Sequence, residues 1–412
     1  MIKYTKFQLE NGLTVIFHQD KTTPMAVVNT LYNVGARDET FEKTGFAHLF
    51  EHLMFGGSVN IPEFDTPLQL AGGENNAFTS NDITNYYDVV PKQNIETALW
   101  LESDRMLSLA FTPKSLEVQR SVVIEEFKQR YLNQPYGNTW LLLRELAYTE
   151  HPYRWATIGR EISHIEQATM EDVKAFFKKY YCPSNAILCI AGDFELDEIK
   201  NLVTKWYGDI PAGEKIKRNL PQEPKQTEYR EKIDEQKVPS DAFYYAFKMC
   251  DRLSEDYHTT DILSDWLGAD NSSKLYTKIK KELKLVTSIS ASQTGSIDAG
   301  LFVISGKLAP NVTFEQLDAV LWEQLAEVKK NPINENELTR LKNKIKTAKA
   351  FQDKPLLNKA MNLCFYELLG DIELINKELN AYDKISAGDL HRVANEILHP
   401  TNCSTLKIKA KI

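Results

Sequence analysis

A short segment in the first half of the chain, residues 44–57, carries three side chains whose types and spacing suit metal chemistry. Its sequence is TGFAHLFEHLMFGG, and within its apolar run only His48, Glu51 and His52 are polar. Spacings of three and four residues place these side chains on one face of a helix. Burying two imidazoles and a carboxylate there is costly without a compensating partner. Two neutral imidazoles one turn apart can bind one zinc ion, so the segment predicts a zinc site.

The order of these residues, His-x-x-Glu-His, is the inverted form of the zinc-protease motif. Glu51 lies between the two histidines on the same face, where it is placed to act on a zinc-activated water rather than to ligate the metal. The alternative is a core helix whose histidines are satisfied by neighbouring polar groups. The motif therefore predicts Glu51 as the catalytic residue and His48 and His52 as zinc ligands.

A catalytic zinc needs a third protein ligand and one position open to water. The best source of that ligand is SLEVQRSVVIEEFKQRY, residues 115–131. On a helix, Glu126 shares a face with the apolar Val122 and Val123, whereas Glu125 falls on the solvated side. A carboxylate on a buried face needs a partner. We therefore predict Glu126 as the third ligand, although paired glutamates on a helix are by themselves usually surface charge.

The composition limits the protein classes to which the chain can belong. It has 412 residues with 49 basic and 57 acidic side chains, giving a net charge of −8, and 42% of its residues are hydrophobic. These values exclude collagen-like and disordered classes, and the negative charge argues against a nucleic-acid partner. Five cysteines without a CxxC pair argue against a disulfide framework or a thiolate zinc site. No run approaches the roughly 18 apolar residues that span a membrane, and no signal peptide is evident.

An internal repeat indicates how the chain is organised. TMEDVKAFFKKYYCPSN (169–185) resembles SAGDLHRVANEILHPTN (386–402) at a constant offset, with the same Thr/Ser-x-x-Asp helix start and the same Pro-x-Asn exit before a strand. We therefore predict two similar halves, an N-terminal zinc-binding domain over 1–212 and a C-terminal domain without a metal site over 240–412. The polar segment 213–239 is predicted as the linker.

HLFEH, followed 74 positions later by the second Glu of VVIEE, resembles the pitrilysin/insulinase-type zinc metallopeptidases, and most closely the subfamily of mitochondrial processing peptidase. Further similar stretches are GGENNAFTSNDITNYYDVVP (72–91), RYLNQPYG (130–137), HPYRWATIG (151–159) and YYCPSNAILCIAGDF (180–194). The resemblance implies an α+β fold with two homologous α/β-sandwich halves, each a mainly antiparallel mixed sheet with helices. It also implies an edge strand that binds extended peptide by strand addition, here Asn76, Ala77, Phe78 and Thr79.

The second half departs from the pattern of that family. Members complete in one chain carry an Arg and a Tyr seven residues apart that hold the substrate near the metal. The matching stretch, IKKELKLVT, has Lys280 and Thr287 at those positions, and Lys does not replace the forked donor of Arg. These residues either reflect sequence divergence within the family or indicate a two-subunit enzyme whose zinc-less partner supplies Arg and Tyr. We favour the two-subunit interpretation. Gln119 also stands where relatives often have an acidic supporting residue.

These observations predict a zinc-dependent endopeptidase subunit that binds one Zn²⁺ and cleaves extended peptides or unfolded segments. A heterodimer with a homologous zinc-less subunit is expected, and a homodimer is the other arrangement considered. The alternatives are a non-catalytic structural or peptide-binding subunit of a larger complex and a zinc hydrolase of non-peptide substrates. The lack of a signal peptide predicts a cytoplasmic protein, or a periplasmic one if a leader has been removed.

Overall fold

Two mixed β-sheets with helices packed on them organise the computed structural model, which describes residues 1–411. The chain forms two compact units. Unit 1 comprises Met1–Lys128, Trp155–Leu220 and Ala350–Lys377, and unit 2 comprises Gln129–Arg154, Pro221–Lys349 and the segment from Glu378. The predicted α+β fold with two sheet-and-helix halves is confirmed.

The strands are β1 (Thr5–Gln8), β2 (Thr14–Gln19), β3 (Met25–Tyr32), β4 (Glu74–Thr79), β5 (Thr84–Pro91), β6 (Ala186–Gly192), β7 (Arg230–Gln236), β8 (Ala242–Lys248), β9 (Val286–Gln293), β10 (Leu301–Leu308) and β11 (Cys403–Ala410). The helices are α1 (Phe46–Leu53), α2 (Asp65–Leu70), α3 (Ile95–Leu107), α4 (Pro113–Phe127), α5 (Thr139–Ala147), α6 (Ile162–Glu166), α7 (Met170–Tyr180), α8 (Leu196–Tyr207), α9 (Tyr257–Gly268), α10 (Phe314–Lys330), α11 (Glu335–Gln352), α12 (Leu356–Leu368), α13 (Leu374–Lys384) and α14 (Ala387–Ile397). Among the described residues, no helix is long and apolar enough to cross a membrane.

The two sheets share one strand order. The sheet of unit 1 runs β1-β2-β6-β3-β5-β4 and the sheet of unit 2 runs β7-β11-β8-β10-β9. In each, one strand lies parallel to one neighbour and antiparallel to the other: β6 between β2 and β3, and β11 between β7 and β8. Apart from the additional β1, the second sheet therefore repeats the arrangement of the first. Strand β7 lies inside the stretch 213–239, and the domain boundaries at 212 and 240 stay a prediction.

The repeated segments form equivalent helix–strand connections. Thr169 and Ser386 are the N-caps of α7 and α14, and each accepts the backbone N–H of the aspartate three residues later, at 3.1 and 3.2 Å. The exit signal has a structural role as well. The side-chain amides of Asn185 and Asn402 donate to backbone carbonyls in the last turn of the preceding helix, at 2.8 and 3.0 Å. The same hydrogen bonds thus join helix to strand in both units.

One helix from each half of the sequence packs on the sheet of the other half. Helix α5, from the first half, buries Leu143 and Ala147 in one cluster with side chains of β8 and β11. Helix α12, from the second half, buries Leu363 and Cys364 completely and packs on β3 and β6. Each unit therefore contains a helix from the opposite half of the chain.

Candidate metal centre

The N-cap of helix α1 is a glycine because the chain must turn sharply there. Gly45 has a φ of +87°, and a Cβ at this position would lie 2.8 Å from the carbonyl oxygen of Ile158. Glycine offers no side chain to cap the helix, and Glu39 does this instead. Its Oε2 accepts the N–H of Gly45 at 2.9 Å and its Oε1 accepts the N–H of Ala47 at 2.8 Å. Burial nevertheless raises the pKa of Glu39 to about 8, although both hydrogen bonds oppose the shift.

The apolar face of α1 fixes its rotation about the helix axis. Leu49, Phe50 and Leu53 are buried. The ring of Phe50 stacks on Phe176 and Tyr181, with centroid distances of 5.0 and 5.1 Å. With this face against the core, the motif side chains point to the opposite side of the helix.

His48, His52 and Glu126 converge on one point. The Nε2 atoms of His48 and His52 lie 3.6 and 3.4 Å from Oε2 of Glu126, and one potential ligand atom from each residue lies within 4.8 Å of the other two. The two imidazole rings are nearly perpendicular, at 88°. All three side chains are mostly shielded, with exposures of 13%, 25% and 18%.

This donor set is suited to zinc. Two imidazole nitrogens and one carboxylate oxygen form a recurrent set of catalytic zinc sites, which keep a fourth position for water. Ligands about 2.0–2.1 Å from a tetrahedral ion lie about 3.3 Å from one another. The observed separations of 3.4 and 3.6 Å between nitrogen and oxygen are close to that value.

Helix α4 separates the two glutamates that the sequence placed side by side. Glu126 points toward the histidines, whereas Glu125 is exposed and its Oε1 lies 2.7 Å from Nζ of Lys128. Val123 is buried as expected, but Val122 is 44% exposed, so its assignment to the buried face was wrong. The buried face of α4 is narrower than the valine pair indicated, because Val123 and Phe127 turn inward without Val122.

A hydrogen bond from the neighbouring strand β4 fixes the side chain of Glu51. The hydroxyl of Thr79, at the end of β4, donates to Oε2 of Glu51 at 2.6 Å. Burial raises the pKa of Glu51, and this hydrogen bond opposes the shift. The sequence predicts Thr79 only as a substrate-binding residue and carries no signal for its contact with Glu51. Glu39 was missed altogether, because no local pattern links it to a helix that begins seven residues later.

The predicted peptide-binding strand lies at an edge of its sheet. Among the described strands, β4 is hydrogen-bonded only to β5. Its side chains alternate in exposure, with Asn76 and Phe78 exposed and Ala77 and Thr79 half-buried. Because Thr79 contacts Glu51, the predicted peptide edge and the predicted catalytic residue are joined directly.

Lys280 and Thr287, the two residues at the positions where the family resemblance predicts Arg and Tyr, lie in unit 2. Lys280 belongs to a π-helical turn, Tyr276–Glu282, where its Nζ lies 4.7 Å from the centre of the Tyr276 ring. Thr287 is exposed on β9, and its hydroxyl donates to the carbonyl of Lys307 at 3.4 Å. In unit 1, Gln119 lies on α4 two turns before Glu126 and is half-buried.

Comparison with known proteins covers both halves of the chain. The profile of the insulinase family, peptidase family M16, matches residues 14–153, and the profile of the peptidase M16 inactive domain matches residues 167–345. The zinc protease PqqE of Helicobacter pylori is 30% identical over 413 residues, which cover 99% of this chain and 93% of that protein. The beta subunit of the mitochondrial processing peptidase of Saccharomyces cerevisiae is 24% identical over 359 residues, covering 83% of this chain and 77% of that protein.

A solved structure extends this similarity to the whole fold. The crystal structure of a protease from Helicobacter pylori has a TM-score of 0.92 and 29% identity to this chain, covering 99% of this chain and 100% of that one. The zinc protease of the same species is similar over nearly its full length, and the M16 profiles match both halves. The chain therefore belongs to the insulinase family of peptidases, peptidase family M16.

Proposed function

We propose that the chain is the zinc-binding subunit of an endopeptidase that hydrolyses extended peptides or unfolded segments. The observation that carries this proposal is the convergence of His48, His52 and Glu126, from two separate helices, within 4.8 Å of one another. In this proposal they hold one Zn²⁺ per chain, and the motif is the inverted one of the processing-peptidase subfamily. The relatives, which include a zinc protease and the beta subunit of a processing peptidase, support it.

When bound, zinc would supply a Lewis acid for the scissile carbonyl and for the attacking water. Glu51 is the general base that takes a proton from that water and delivers it to the leaving amine. Thr79 fixes Oε2 of this carboxylate by its hydrogen bond, and we assign the proton transfer to Oε1. The burial that raises the pKa of Glu51 suits a group that must both accept and release a proton.

The substrate would add to the edge of the sheet beside Glu51. Strand β4, with Asn76, Ala77, Phe78 and Thr79, presents its outer edge to an extended peptide, which can then pair by main-chain hydrogen bonds. This mode binds backbone rather than particular side chains, so it favours unfolded segments over folded proteins.

A partner subunit would complete the site. Lys280 and Thr287 stand where single-chain members of the family have Arg and Tyr, and neither provides the same donors. We propose a homologous zinc-less subunit as their source, with a second copy of this chain as the other arrangement to test. The naming of one relative as a subunit of a processing peptidase supports this view.

The decisive experiment measures cleavage of an unstructured fluorogenic peptide together with zinc content. The chain is assayed alone at low concentration and again at high concentration, which favours a homodimer. It is then assayed with a family member that lacks His-x-x-Glu-His but carries Arg and Tyr. We expect zinc in the chain alone and a rise in kcat/KM of roughly 10²–10³-fold with the partner, the range for supplying a transition-state donor. Rapid cleavage by the chain alone would contradict the partner proposal.

Substitution of the base separates catalysis from metal binding. Glu51→Gln should retain one zinc and lose roughly 10²–10⁴-fold in kcat. Glu125→Gln is the matched control, because it removes the same charge from an exposed position of the neighbouring helix. Zinc retention with no cleavage of any peptide, with every partner, would instead favour a non-catalytic subunit or a hydrolase of another substrate.

A further inference from the structure

A groove in unit 1 lies apart from the three converging side chains. It has a volume of about 560 Å³ and is bounded by α7, the turn that follows it, and residues 210–217. Its floor is aromatic and aliphatic, and includes Phe177, Tyr181, Ile210 and Ile216. Leu107, which also lines it, is 46% exposed, so the apolar surface of the groove continues to solvent.

The rim of this groove is positively charged. Four lysines and a single carboxylate, that of Glu214, line it; the lysines are Lys178, Lys179, Lys215 and Lys217. Within residues 1–411, none of these lysines forms an ion pair, and Lys179 rests over the ring of Tyr180 at 4.7 Å. The chain as a whole carries a net charge of −8. The local excess of positive charge around an apolar floor is therefore a specific feature, and it favours an anion there.

The floor of the groove touches the layer behind helix α1. Phe177 and Tyr181 stack on one another at 5.8 Å, and both stack on Phe50, at 6.5 and 5.1 Å. Phe50 lies on α1 between the motif residues, on the opposite face. A molecule in the groove would therefore contact the aromatic layer that supports α1.

We propose that this groove binds a small amphipathic carboxylate, of the kind of a medium-chain fatty-acid anion. The alkyl chain lies on the aromatic floor and the carboxylate faces the lysine rim. The volume falls within the roughly 300–1,000 Å³ of small-molecule sites. A stable protein partner would need an interface of more than about 1,000 Å², which a groove of this size does not offer. The groove is therefore of a size that a small molecule fills.

Calorimetry with decanoate as the probe tests this assignment. Saturable binding to the purified full-length chain is expected, whether or not it holds a metal. Decylammonium and acetate should bind at least tenfold more weakly, because the first reverses the charge and the second lacks the alkyl chain. Ala175→Trp places a large ring in the groove from an exposed position of α7, and should weaken decanoate at least tenfold. Lys178→Glu combined with Lys215→Glu should do the same.

Lys174→Glu is the matched control, since it makes the same charge change on α7 at a residue that does not line the groove. It should leave the decanoate affinity within twofold of wild type. Circular dichroism melting of each variant establishes that it is folded. No saturable decanoate binding, equal binding of decylammonium, or unchanged binding in folded Ala175→Trp would each overturn the proposal. These outcomes are independent of peptidase activity, so they do not depend on the proposed function.

Discussion

Glu125 and Glu126 are identical and adjacent in sequence, but their side chains lie in different surroundings. Glu126 lies 3.4 and 3.6 Å from the two imidazoles, while Glu125 pairs with Lys128 at the surface. Two mostly shielded histidines and a mostly shielded carboxylate at such distances are a costly arrangement unless a cation or a proton links them. At the scale of single residues, the position of a side chain about the helix axis decides which glutamate can bind a metal.

Glu126→Gln is expected to lower the affinity for zinc by at least about 100-fold, because changes outside the ligand set already cost 10–100-fold. Glu125→Gln should leave zinc affinity unchanged, since that carboxylate is exposed and only pairs with Lys128. Competition with a chromogenic chelator at pH 7 measures both variants. Wild-type zinc affinity in folded Glu126→Gln would remove this residue from the ligand set.

At the scale of elements, α1 depends on a residue outside the helix. It is only eight residues long, and its N-cap, Gly45, has no side chain that could cap it. The carboxyl group of Glu39 accepts hydrogen bonds from the backbone N–H groups of Gly45 and Ala47, at the start of the helix. Since short helices gain little from propensity alone, this buried contact and the packing of Phe50 hold the helix in place.

Replacing Glu39 by Ala should lower the free energy of unfolding by about 1–3 kcal/mol, because two buried N–H groups lose their acceptor. The exposed Glu42→Ala in the same segment is the control and should change stability by less than about 0.5 kcal/mol. Urea unfolding measures both. A loss no greater than that of Glu42→Ala would show that Glu39 does not cap the helix.

The raised pKa of Glu39 also predicts a pH dependence. Its pKa of about 8 in the folded state lies above its ordinary value of 4.5, so the folded protein holds this proton over a range where the unfolded chain has lost it. Stability should therefore fall as the pH rises from about 5 to 8. Glu39→Gln, which cannot ionise, should show a flatter profile over that range, and Glu42→Gln should retain the wild-type slope. An unchanged slope in Glu39→Gln would assign the dependence to other groups.

At the scale of the whole molecule, the sequence predicts those features of the fold that interactions between near neighbours in the chain determine. The repeat at 169–185 and 386–402 correctly indicated two capped helices, each followed by a strand. It could not indicate that α5 and α12 each pack on the sheet of the opposite half, because an apolar stripe encodes a buried face but not the surface that covers it. The contact of Glu39 with α1 was hidden for a related reason, since it joins a loop to a helix without any periodic pattern.

The packing of α12 on the sheet of unit 1 includes a partly buried ion pair. Lys359 donates to Oδ2 of Asp20 at 2.7 Å, and the two side chains are 19% and 9% exposed. A second pair, between Lys6 and Glu367 on the same helix, lies nearer the surface, with 45% of the Lys6 side chain exposed. The hydrogen bond from Lys359 holds the pKa of Asp20 well below its usual range.

Lys359→Met should therefore lower the free energy of unfolding at pH 7 by about 1.5–3 kcal/mol, the range for a charged hydrogen bond. Lys6→Met breaks the exposed pair on the same helix and should cost at most about 1 kcal/mol. Because the pKa of Asp20 is lower in the folded state, the contribution of its pair is complete above about pH 4 and declines as the pH falls below it. The difference between wild type and Lys359→Met in urea unfolding should thus be smaller at pH 3 than at pH 7. Two results would contradict this expectation: an equal loss of unfolding free energy in the two variants, or a difference from wild type that does not change with pH. Either result would mean that apolar packing, and not the Lys359–Asp20 pair, holds α12 on the sheet of unit 1.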